Sequence, residues 1–276
     1  MKKVVIVTGA SAGIGKATAL QLIKEGHTVY GAARRVEKMD ELVSAGGKAV
    51  AIDLTRHEQV HTEIQKIIET EGRIDVLVNN AGYAVYGAIE EVSYEQAKQQ
   101  LEVNLFGLAE ATKAVLPAMR SQKSGTIVNV SSIGGKVYGP LAAWYHASKF
   151  GLEGWSDTLR LEVSQFGINV VVIQPGVIKT EFSEAMDQKL TQDSSSPYKD
   201  LEHIALKMIE NTNKPGQYSE PIVIANTISK AINSKNPKTR YAAGKMAKQT
   251  LLARKMLSDK AFDKMFLRMV KNYGKK

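Results

Sequence analysis

The sequence predicts an α/β fold in which one parallel sheet lies between two layers of helices, giving three layers. Short apolar runs rich in β-branched residues alternate with longer segments of helical periodicity along the 276 residues. The central runs are apolar without alternation, which is typical of strands buried on both faces of a parallel sheet. Repeated strand–helix units with right-handed crossovers then give a doubly wound arrangement.

The elements are predicted in order along the chain. The predicted strands are Lys3–Val7, Thr28–Ala32, Lys48–Ile52, Ile74–Val78, Thr126–Val130, Asn169–Ile173 and a weaker Thr239–Ala242. The predicted helices are Gly13–Glu25, Glu58–Glu71, Tyr94–Arg120, Ala143–Phe166 and Pro221–Ser234. Ligands of doubly wound sheets bind at the carboxyl ends of the strands, so we expect the functional site at that edge.

The charge of the protein is concentrated at one end. The net charge is +9, but residues 245–276 hold ten Lys/Arg and two Asp/Glu, which leaves 27 basic and 26 acidic groups in residues 1–244. A balanced body argues against nucleic-acid binding. The absence of cysteine excludes disulfides and thiolate chemistry and favours a cytoplasmic location. No run reaches the ~18 apolar residues of a membrane span, and no His, Asp or Glu grouping has the spacing of metal ligands.

We expect one catalytic domain over residues 1–244 and a helical extension over residues 245–276. Residues of about 183–218 contain turn-forming segments and no clear strand, which favours a helical lid beside the sheet edge; a surface excursion without function is the alternative. The extension predicts a helix that docks on the body or covers the pocket, and the alternative is a basic amphipathic helix at an anionic membrane. Its apolar helical face consists of Phe262, Met265, Phe266, Met269 and Val270.

A glycine-rich turn follows the first predicted strand. It reads Thr8-Gly9-Ala10-Ser11-Ala12-Gly13-Ile14-Gly15 and leads directly into a helix. Gly9 allows the tight turn, Gly13 leaves room for a pyrophosphate, and Gly15 lets the helix approach the strand. The free N–H groups and the dipole of the helix attract the anion. This placement favours a Rossmann-type dinucleotide site over glycines that serve only the turn.

The segment T-G-x-x-x-G-I-G resembles the fingerprint of the short-chain dehydrogenase/reductase family, in its standard single-domain branch. Asn79-Asn80-Ala81-Gly82 matches the family's N-N-A-G element, and Pro175–Thr180 matches its P-G-x-x-x-T. The late segment Asn236–Tyr241 is similar to the retinol and 17β-hydroxysteroid dehydrogenase-like subgroup. The predicted cofactor-binding residues are Gly9, Ser11, Gly13, Ile14, Gly15, Arg34, Arg35, Asp53, Leu54, Asn80, Ala81, Gly82, Tyr145, Lys149, Pro175, Gly176, Ile178 and Thr180.

The end of the second strand predicts which dinucleotide is bound. Members of the family that bind NAD carry an acid near Ala33, whose carboxylate accepts hydrogen bonds from both ribose hydroxyls. Here the acid is absent and Arg34 and Arg35 follow, and guanidinium groups suit bidentate contacts with a 2′-phosphate. The sequence therefore favours NADP(H), the alternative being two solvated arginines. Asp53, by the resemblance, binds the adenine amino group.

The family's Tyr-x-x-x-Lys signature occurs three times, at Tyr94/Lys98, Tyr145/Lys149 and Tyr241/Lys245. Only the second pair has a serine-bearing strand end ahead of it, and its two residues share one helix face. The resemblance implies that Tyr145 is the acid/base, with its phenolate favoured by the nearby cation. It further implies that Ser132 bonds the reacting oxygen, that Lys149 holds the nicotinamide ribose, and that Asn104 anchors a water relay. The predicted catalytic set is Asn104, Ser132, Tyr145 and Lys149.

The predicted substrate wall is apolar and favours a hydrophobic ketone or alcohol. Cellular NADPH is mostly reduced, so the predicted reaction is carbonyl reduction. His146, beside Tyr145, is interpreted as a surface residue and not as a base. The predicted substrate contacts are Ser132, Tyr138 and Tyr145, and the further wall residues are Tyr86, Val137, Leu141, Trp144 and Phe182.

Two other functions share parts of this pattern. Epimerases or dehydratases of the extended branch share the Tyr and Lys, but usually carry G-x-x-G-x-x-G and a larger substrate domain. Non-catalytic dinucleotide sensors typically lose the Tyr or the Lys, whereas both are present here. By the resemblance, the long helices Tyr94–Arg120 and Ala143–Phe166 form interfaces of a homodimer or homotetramer.

Overall fold

In the computed structural model, which describes residues 2–181 and 195–274, seven parallel strands form one sheet. Their order is β3-β2-β1-β4-β5-β6-β7, so the chain begins at the centre of the sheet and winds outward in both directions. The order reverses between β1 and β4, where a crevice opens at the carboxyl ends of the strands. The strands are β1 (Val4–Thr8), β2 (Thr28–Ala33), β3 (Lys48–Ala51), β4 (Val76–Asn79), β5 (Gly125–Val130), β6 (Ile168–Pro175) and β7 (Arg240–Ala243).

Helices cover both faces of the sheet, and the predicted three-layer α/β arrangement is confirmed. Short 3₁₀ turns occupy Val36–Met39, Ile133–Gly135 and Ser164–Phe166. The helices are α1 (Gly13–Lys24), α2 (Asp40–Ser44), α3 (His57–Glu71), α4 (Tyr94–Leu101), α5 (Gly107–Gln122), α6 (Ala143–Val163), α7 (Lys199–Thr212), α8 (Pro221–Ile232), α9 (Ala247–Met256) and α10 (Asp259–Gly274).

The core lies on the two faces of the sheet. On one face, strand residues such as Ile6 and Leu77 pack with the helices α3, α5 and α6. On the other face, Val7 and Val78 pack with α1 and α8. Each fully buried aliphatic side chain contributes roughly 1.5–3 kcal/mol. Because both faces are covered, the strands carry the continuous apolar runs seen in the sequence.

The helix predicted over Tyr94–Arg120 is two helices, which are separated by a π-helical turn at Glu102–Phe106. α4 begins at a capping box, in which the Ser93 hydroxyl accepts from the Gln96 amide at 3.2 Å. The π turn adds one residue to the helical repeat and turns Asn104 into the interior, where it is 1% exposed. A continuous α-helix would rotate the following residues away from their observed positions.

The helix α7 lies within the predicted lid and forms part of a roof over the sheet edge. Its side chains Ile209 and Leu206 pack with Ala88, Leu141 and Tyr86 in a separate apolar cluster. The first part of the predicted lid, with Phe182, falls in residues 182–194 and lies outside the described residues.

The C-terminal extension forms two helices, α9 and α10, and α10 docks on the body. Phe262 is 2% exposed, and its ring meets the Tyr138 ring edge-on with centroids 5.2 Å apart. The Tyr138 hydroxyl donates to Asp263 Oδ1 at 2.9 Å. Further along, Asn211 Nδ2 of α7 donates to the Tyr273 hydroxyl at 3.0 Å. In the part of the chain that the structure describes, no helix is both long and apolar enough to cross a membrane.

Candidate active site

A cavity of about 660 Å³ opens at the carboxyl edge of the sheet, beside the glycine-rich turn. Gly9 and Gly13 adopt φ of +68° and +52°, which side chains rarely tolerate. A Cβ on Gly9 would lie 2.8 Å from the Ala81 Cα, and one on Gly15 would lie 2.2 Å from the Gly9 carbonyl oxygen. The turn is therefore shaped to keep its backbone close to its neighbours and open towards the cavity, which suits a pyrophosphate.

The N-N-A-G segment is fastened to the end of β1. The Thr8 hydroxyl accepts from the backbone amides of Asn80 and Ala81, both at 3.0 Å. Asn80 Nδ2 returns a bond to the Thr8 carbonyl oxygen at 2.9 Å. Asn80, Ala81 and Gly82 line the cavity as a result.

The outer end of the cavity carries two arginines. Arg34 and Arg35 follow β2, are exposed, and line the cavity. Neither makes an ion pair with any residue in the ranges 2–181 and 195–274. Asp53 lines the same end, and its Oδ1 accepts from the Thr55 amide at 3.0 Å and from the Thr55 hydroxyl at 2.9 Å. At this end of the cavity the two arginines suit an anionic group, and Asp53 suits a neighbouring ring that carries a hydrogen-bond donor.

The segment after β6 closes the opposite wall. Gly176 donates its amide to the Ala243 carbonyl oxygen at 2.9 Å, and Val177 donates to that of Lys245 at 2.9 Å. These bonds to the end of β7 aim the chain back across the cavity, so that Ile178 and Thr180 line it. A Cβ on Gly13 would lie 3.2 Å from Thr180 Cγ2, so this wall approaches the glycine-rich turn.

Tyr145 and Lys149 lie one turn apart at the start of α6, and both line the cavity. Lys149 Nζ donates to the Val130 carbonyl oxygen at 2.9 Å. Burial lowers the pKa of Lys149 to about 8, against the opposing effect of the Glu153 carboxylate. Burial also raises the pKa of Tyr145, and a hydrogen bond with Ser132 opposes that shift.

These shifts fit Tyr145 as a proton donor. A phenol whose pKa lies above its ordinary value of ~10 is protonated at neutral pH. Formation of the phenolate then needs a positive charge nearby, which Lys149 can supply. The Ser132 hydroxyl accepts from the Gly134 amide at 3.0 Å and is within hydrogen-bonding reach of the Tyr145 hydroxyl. An oxygen atom bonded by Tyr145 could therefore also be bonded by Ser132.

The Asn104 side chain holds two neighbouring segments together through three hydrogen bonds. Its Oδ1 accepts from the Tyr83 amide at 3.1 Å, and its Nδ2 donates to the Tyr83 carbonyl oxygen at 2.9 Å and to the Ser148 hydroxyl at 3.1 Å. The side chain thereby joins the loop after β4 to α6, within one turn of Tyr145 and Lys149. Its side chain faces these groups and not the cavity, so the water relay remains a prediction.

The predicted substrate wall lies outside the cavity lining, since Tyr86, Val137, Leu141 and Trp144 are not among the residues that line the cavity. The Tyr86 ring stacks on that of Tyr145, with centroids 6.5 Å apart, and burial raises the pKa of Tyr86. Tyr138, predicted to contact substrate, is not among the residues that line the cavity, because it is turned towards α10. Trp144 is half-buried, and its indole N–H has no acceptor among the described residues.

The interpretation of His146 as a surface residue was wrong. The side chain is half-buried and its ring lies 5.8 Å from that of Tyr145. Its Nδ1 bonds the Gly134 carbonyl oxygen at 2.9 Å, and its Nε2 accepts from the Gly139 amide at 3.1 Å. Both nitrogens are therefore used by the neutral ring to hold the loop after β5, and burial lowers the pKa of His146.

The other two Tyr-x-x-x-Lys pairs lie away from the cavity. Tyr94 is 74% exposed at the start of α4. Tyr241 lies on β7, and its hydroxyl accepts from the Lys238 amide at 3.0 Å. Neither tyrosine lines the cavity, so the structure brings only Tyr145 of the three towards the glycine-rich turn.

Two residues that were not selected from the sequence lie in this site or next to it. Ser131 lines the cavity, is 4% exposed, and its hydroxyl has no partner among the described residues. Glu153 is 1% exposed, lies one turn after Lys149, and accepts from Gln174 Nε2 and Arg240 Nε, both at 2.9 Å. The signals available in sequence were the doubled serine at the strand end and an acid on the face of Lys149. Within the described residues, no group of three His, Asp or Glu could hold a metal ion.

Comparisons with known proteins agree with this geometry. The family model described as short chain dehydrogenase matches residues 3–191. The 3-ketodihydrosphingosine reductase of Bacteroides thetaiotaomicron is 37% identical over 252 residues, which cover 91% of each chain. A short-chain dehydrogenase structure from Streptomyces avermitilis has a TM-score of 0.81 at 32% identity and covers 98% of this chain and 96% of that one.

A second similar structure, a metagenomic short-chain oxidoreductase, is described as a complex with NADP. Its TM-score is 0.69 at 28% identity, and the match covers 87% of this chain and 95% of that chain. The strand order, the glycine-rich turn and the Tyr145–Lys149 pair occur together in this chain. The chain therefore belongs to the short-chain dehydrogenase/reductase family, whose members are oxidoreductases acting on CH–OH groups.

Proposed function

We propose that the protein is an NADP(H)-dependent oxidoreductase that reduces a carbonyl group on a hydrophobic substrate. The observation that carries this proposal is one cavity lined by the glycine-rich turn, two arginines, and Ser132, Tyr145 and Lys149. The apolar cluster of Ala88, Leu141 and Ile209 packs with Tyr86, whose ring stacks on that of Tyr145, and this apolar surround favours an apolar substrate. The catalytic residues are intact, which favours an enzyme over a dinucleotide sensor.

A nicotinamide dinucleotide, when bound, supplies the hydride in the reductive direction. The Tyr145 hydroxyl donates a proton to the carbonyl oxygen, and the Ser132 hydroxyl bonds that oxygen as negative charge develops. Lys149 holds the nicotinamide ribose and keeps a positive charge beside Tyr145. The Ile178 backbone and the Thr180 hydroxyl hold the carboxamide. The backbone of the turn around Gly13 holds the pyrophosphate.

The two arginines support NADP(H) over NAD(H). In Arg34→Ala, we expect the affinity for NADPH to fall about tenfold to a hundredfold, because a charge-assisted hydrogen bond contributes about 1.5–3 kcal/mol. The affinity for NADH is expected to remain within about twofold. Titration of intrinsic fluorescence with each dinucleotide measures both constants.

Lys38→Ala is the matched control for this experiment. Lys38 is an exposed cation four residues further on that does not line the cavity, so its removal should leave the preference unchanged. Equal affinities of the wild type for NADPH and NADH would contradict the NADP assignment.

The activity is tested with a panel of hydrophobic ketones and aldehydes, by following NADPH oxidation. In Tyr145→Phe, we expect turnover to fall about 10²–10⁴-fold, because a positioned general acid contributes that much. NADPH affinity should change by no more than a few-fold, which separates lost chemistry from lost binding. Wild-type protein that binds NADPH and reduces no member of the panel would favour the dinucleotide sensor.

One member of the panel has specific support. A relative that shares 37% of its residues with this chain is named 3-ketodihydrosphingosine reductase, and an apolar roof is compatible with such a long-chain ketone. We expect 3-ketodihydrosphingosine to give a higher kcat/KM than short ketones. A preference for a short polar ketone would exclude this substrate class while leaving the reductase assignment intact.

Self-association is also proposed, through the faces of α5 and α6. Phe106, Phe150 and Leu161 are 49%, 44% and 72% exposed on or beside these helices, and such apolar patches favour an interface between copies. Light scattering tests this, since a single chain has a mass of 30.2 kDa. The absence of cysteine supports a cytoplasmic location, which fractionation of producing cells would test.

A further inference from the structure

The helix α10 has two opposite faces of different character. Its inner face is formed by Phe262, Phe266, Val270 and Tyr273, which recur at i, i+4, i+8 and i+11 and are buried or half-buried. On the outer face, five exposed residues share the same kind of spacing. These are Lys260, Lys264, Leu267, Arg268 and Lys271.

The helix α9 presents a similar exposed row. Lys248, Leu252, Lys255 and Met256 recur at i, i+4, i+7 and i+8, and all four are exposed. The exposed fractions are 58% for Leu252 and 75% for Met256, and Leu267 on α10 is 65% exposed. We name these two rows together the cationic tail face: Lys248, Leu252, Lys255, Met256, Lys260, Lys264, Leu267, Arg268 and Lys271.

The acids of these helices do not neutralise the cationic tail face. Asp259 forms an ion pair with Arg254, and Asp263 accepts a hydrogen bond from Tyr138 of the body. None of the six Lys and Arg side chains of the face makes an ion pair with a residue that the structure describes. One acid is therefore paired within the extension and the other bonds the body, so the cations of the face stay uncompensated among the described residues.

We propose that the cationic tail face docks the protein on the surface of an anionic lipid bilayer. Anionic lipids attract basic segments, and each Lys or Arg near the surface raises partition roughly fivefold. Leu252, Met256 and Leu267 are placed between the cations, where they can enter the interfacial region of the bilayer. The contact is peripheral, because the inner face of α10 remains packed on the body.

The side chains of the face favour lipid over nucleic acid. A nucleic acid would satisfy the cations with phosphates but would leave three large apolar side chains in water. Single-stranded nucleic acids are also held by aromatic side chains on which bases stack, and the cationic tail face contains none. A lipid interface accommodates both kinds of side chain at once.

The docking contacts relate this surface to the cavity. α10 is joined to the body through Tyr138, which lies in the loop after β5, and through Asn211 of the roof helix α7. A bilayer bound by the cationic tail face would therefore lie on the side of the molecule that carries the roof. Docking through this face is a property separate from reduction and does not depend on which substrate is reduced.

The test measures sedimentation with vesicles of phosphatidylcholine alone and of phosphatidylcholine with phosphatidylglycerol. We expect the wild type to bind only the anionic vesicles. The triple variant Lys260→Gln, Lys264→Gln, Arg268→Gln should lose on the order of a hundredfold in partition, since three cations are removed. Leu252→Asn with Leu267→Asn should weaken binding to the same vesicles at every salt concentration.

The matched control removes the same charge elsewhere. Lys98→Gln, Lys230→Gln, Lys235→Gln neutralises three exposed lysines that lie outside the cationic tail face, and should bind within a few-fold of the wild type. Equal losses in the two triple variants would overturn the proposal, because net charge alone would then explain binding. Equal binding to neutral and anionic vesicles, or to neither, would also overturn it.

Two further measurements separate loss of vesicle binding from misfolding, and lipid binding from nucleic-acid binding. The thermal midpoint and the NADPH affinity of each variant should match the wild type, because the substituted side chains are exposed and lie outside the cavity. Duplex DNA is added as a competitor to wild-type protein on vesicles at physiological salt. Displacement of the protein by DNA at lower phosphate concentration than the lipid would reassign the face to nucleic acid and refute the lipid proposal.

Discussion

A single unpartnered hydroxyl distinguishes the end of β5. Ser131 is 4% exposed, and its Oγ lies within 2.8 Å of where a Cβ on Gly135 would sit, so the site is tightly enclosed. A buried polar group without a partner costs roughly 1–3 kcal/mol. Since Ser131 also lines the cavity, a bound dinucleotide or substrate is the natural source of the missing bond.

Replacement of this hydroxyl separates stability from binding. In Ser131→Ala, we expect the free energy of unfolding without ligand to stay equal or to rise by up to ~1 kcal/mol, because an unsatisfied group is removed. The increase in thermal midpoint on adding NADPH should become smaller. Calorimetric or fluorescence melts with and without NADPH measure both quantities.

Ser156→Ala provides the contrast. Ser156 is fully buried, but its hydroxyl donates to the Leu152 carbonyl oxygen and accepts from Asn129 Nδ2 at 2.9 Å. Its loss should lower stability by about 1–3 kcal/mol, since Asn129 is left with a buried unpaired donor. Similar losses in the two variants would show that the Ser131 hydroxyl is bonded within the fold.

The site residues that the sequence located correctly are those marked by short spacings between neighbouring positions in the chain. The glycine-rich turn and the Tyr145–Lys149 pair are set by short spacings beside a strand end, so the sequence was sufficient to locate both at the cavity. His146 depended on the loop that brings Gly134 and Gly139 over the ring. No periodicity along the chain records that contact, and the surface interpretation failed for this reason.

At the scale of elements, a buried carboxylate joins α6 to the end of the sheet. Glu153 accepts from Gln174 of β6 and from Arg240 of β7, both at 2.9 Å, and Arg240 also pairs with Asp157 at 2.6 Å. The Asp157 carboxyl has a lowered pKa and the Arg240 guanidinium a raised one, although burial alone would shift each the other way. The helix that carries Tyr145 is thereby fixed against two strands.

Arg240→Gln tests how much this network contributes. We expect the free energy of unfolding to fall by ~3 kcal/mol, because removing one partner leaves Glu153 as a buried, partly compensated charge. The double variant Glu153→Gln, Arg240→Gln should recover part of that loss. Chemical denaturation of both variants measures the difference.

Arg160→Gln is the surface control. Among the residues that the structure describes, Arg160 pairs with the Asp157 carboxylate alone; that carboxylate is 38% exposed, and such pairs contribute about 0–1 kcal/mol. A loss as large as that of Arg240→Gln would show that the charge of Asp157, and not burial of Glu153, determines the effect.

Elements were predicted best where burial shapes the sequence. The observed strands begin and end within about two residues of the predicted ones, and the central strands β1 and β4 are apolar runs that are buried along their whole length. The π-helical break at Glu102–Phe106 could not be seen in the pattern of apolar residues. A π turn inserts one residue without changing composition, and its cause, the bonds of Asn104 to Tyr83 and Ser148, joins distant parts of the chain.

For the whole molecule, two half-buried histidines predict loss of stability in mild acid. Burial lowers the pKa of both His27 and His146, so the folded protein resists protonation where the unfolded chain accepts it, near ~6.5. Their contribution is present above that pH and is lost as the pH falls below it. Each can change stability by at most about 1.4 kcal/mol per pH unit.

Denaturation at several pH values between about 7.5 and 5.5 should show this slope. In His27→Gln, His146→Gln, the dependence over that range should become flatter, because fewer protons are taken up on unfolding. The exposed His203 supplies the control, and His203→Gln should retain the wild-type slope. An unchanged slope in the double variant would assign the acid sensitivity to other groups.

The position of β1 at the centre of the sheet has a consequence for synthesis on the ribosome. The glycine-rich turn, both arginines and the N-N-A-G segment all precede residue 83, whereas α7 and α10 come from the last third of the chain. At roughly 5–20 residues per second, these segments are synthesised roughly six to twenty-three seconds before α7. The nascent chain therefore carries an open cleft for that interval, until α7 adds its part of the roof.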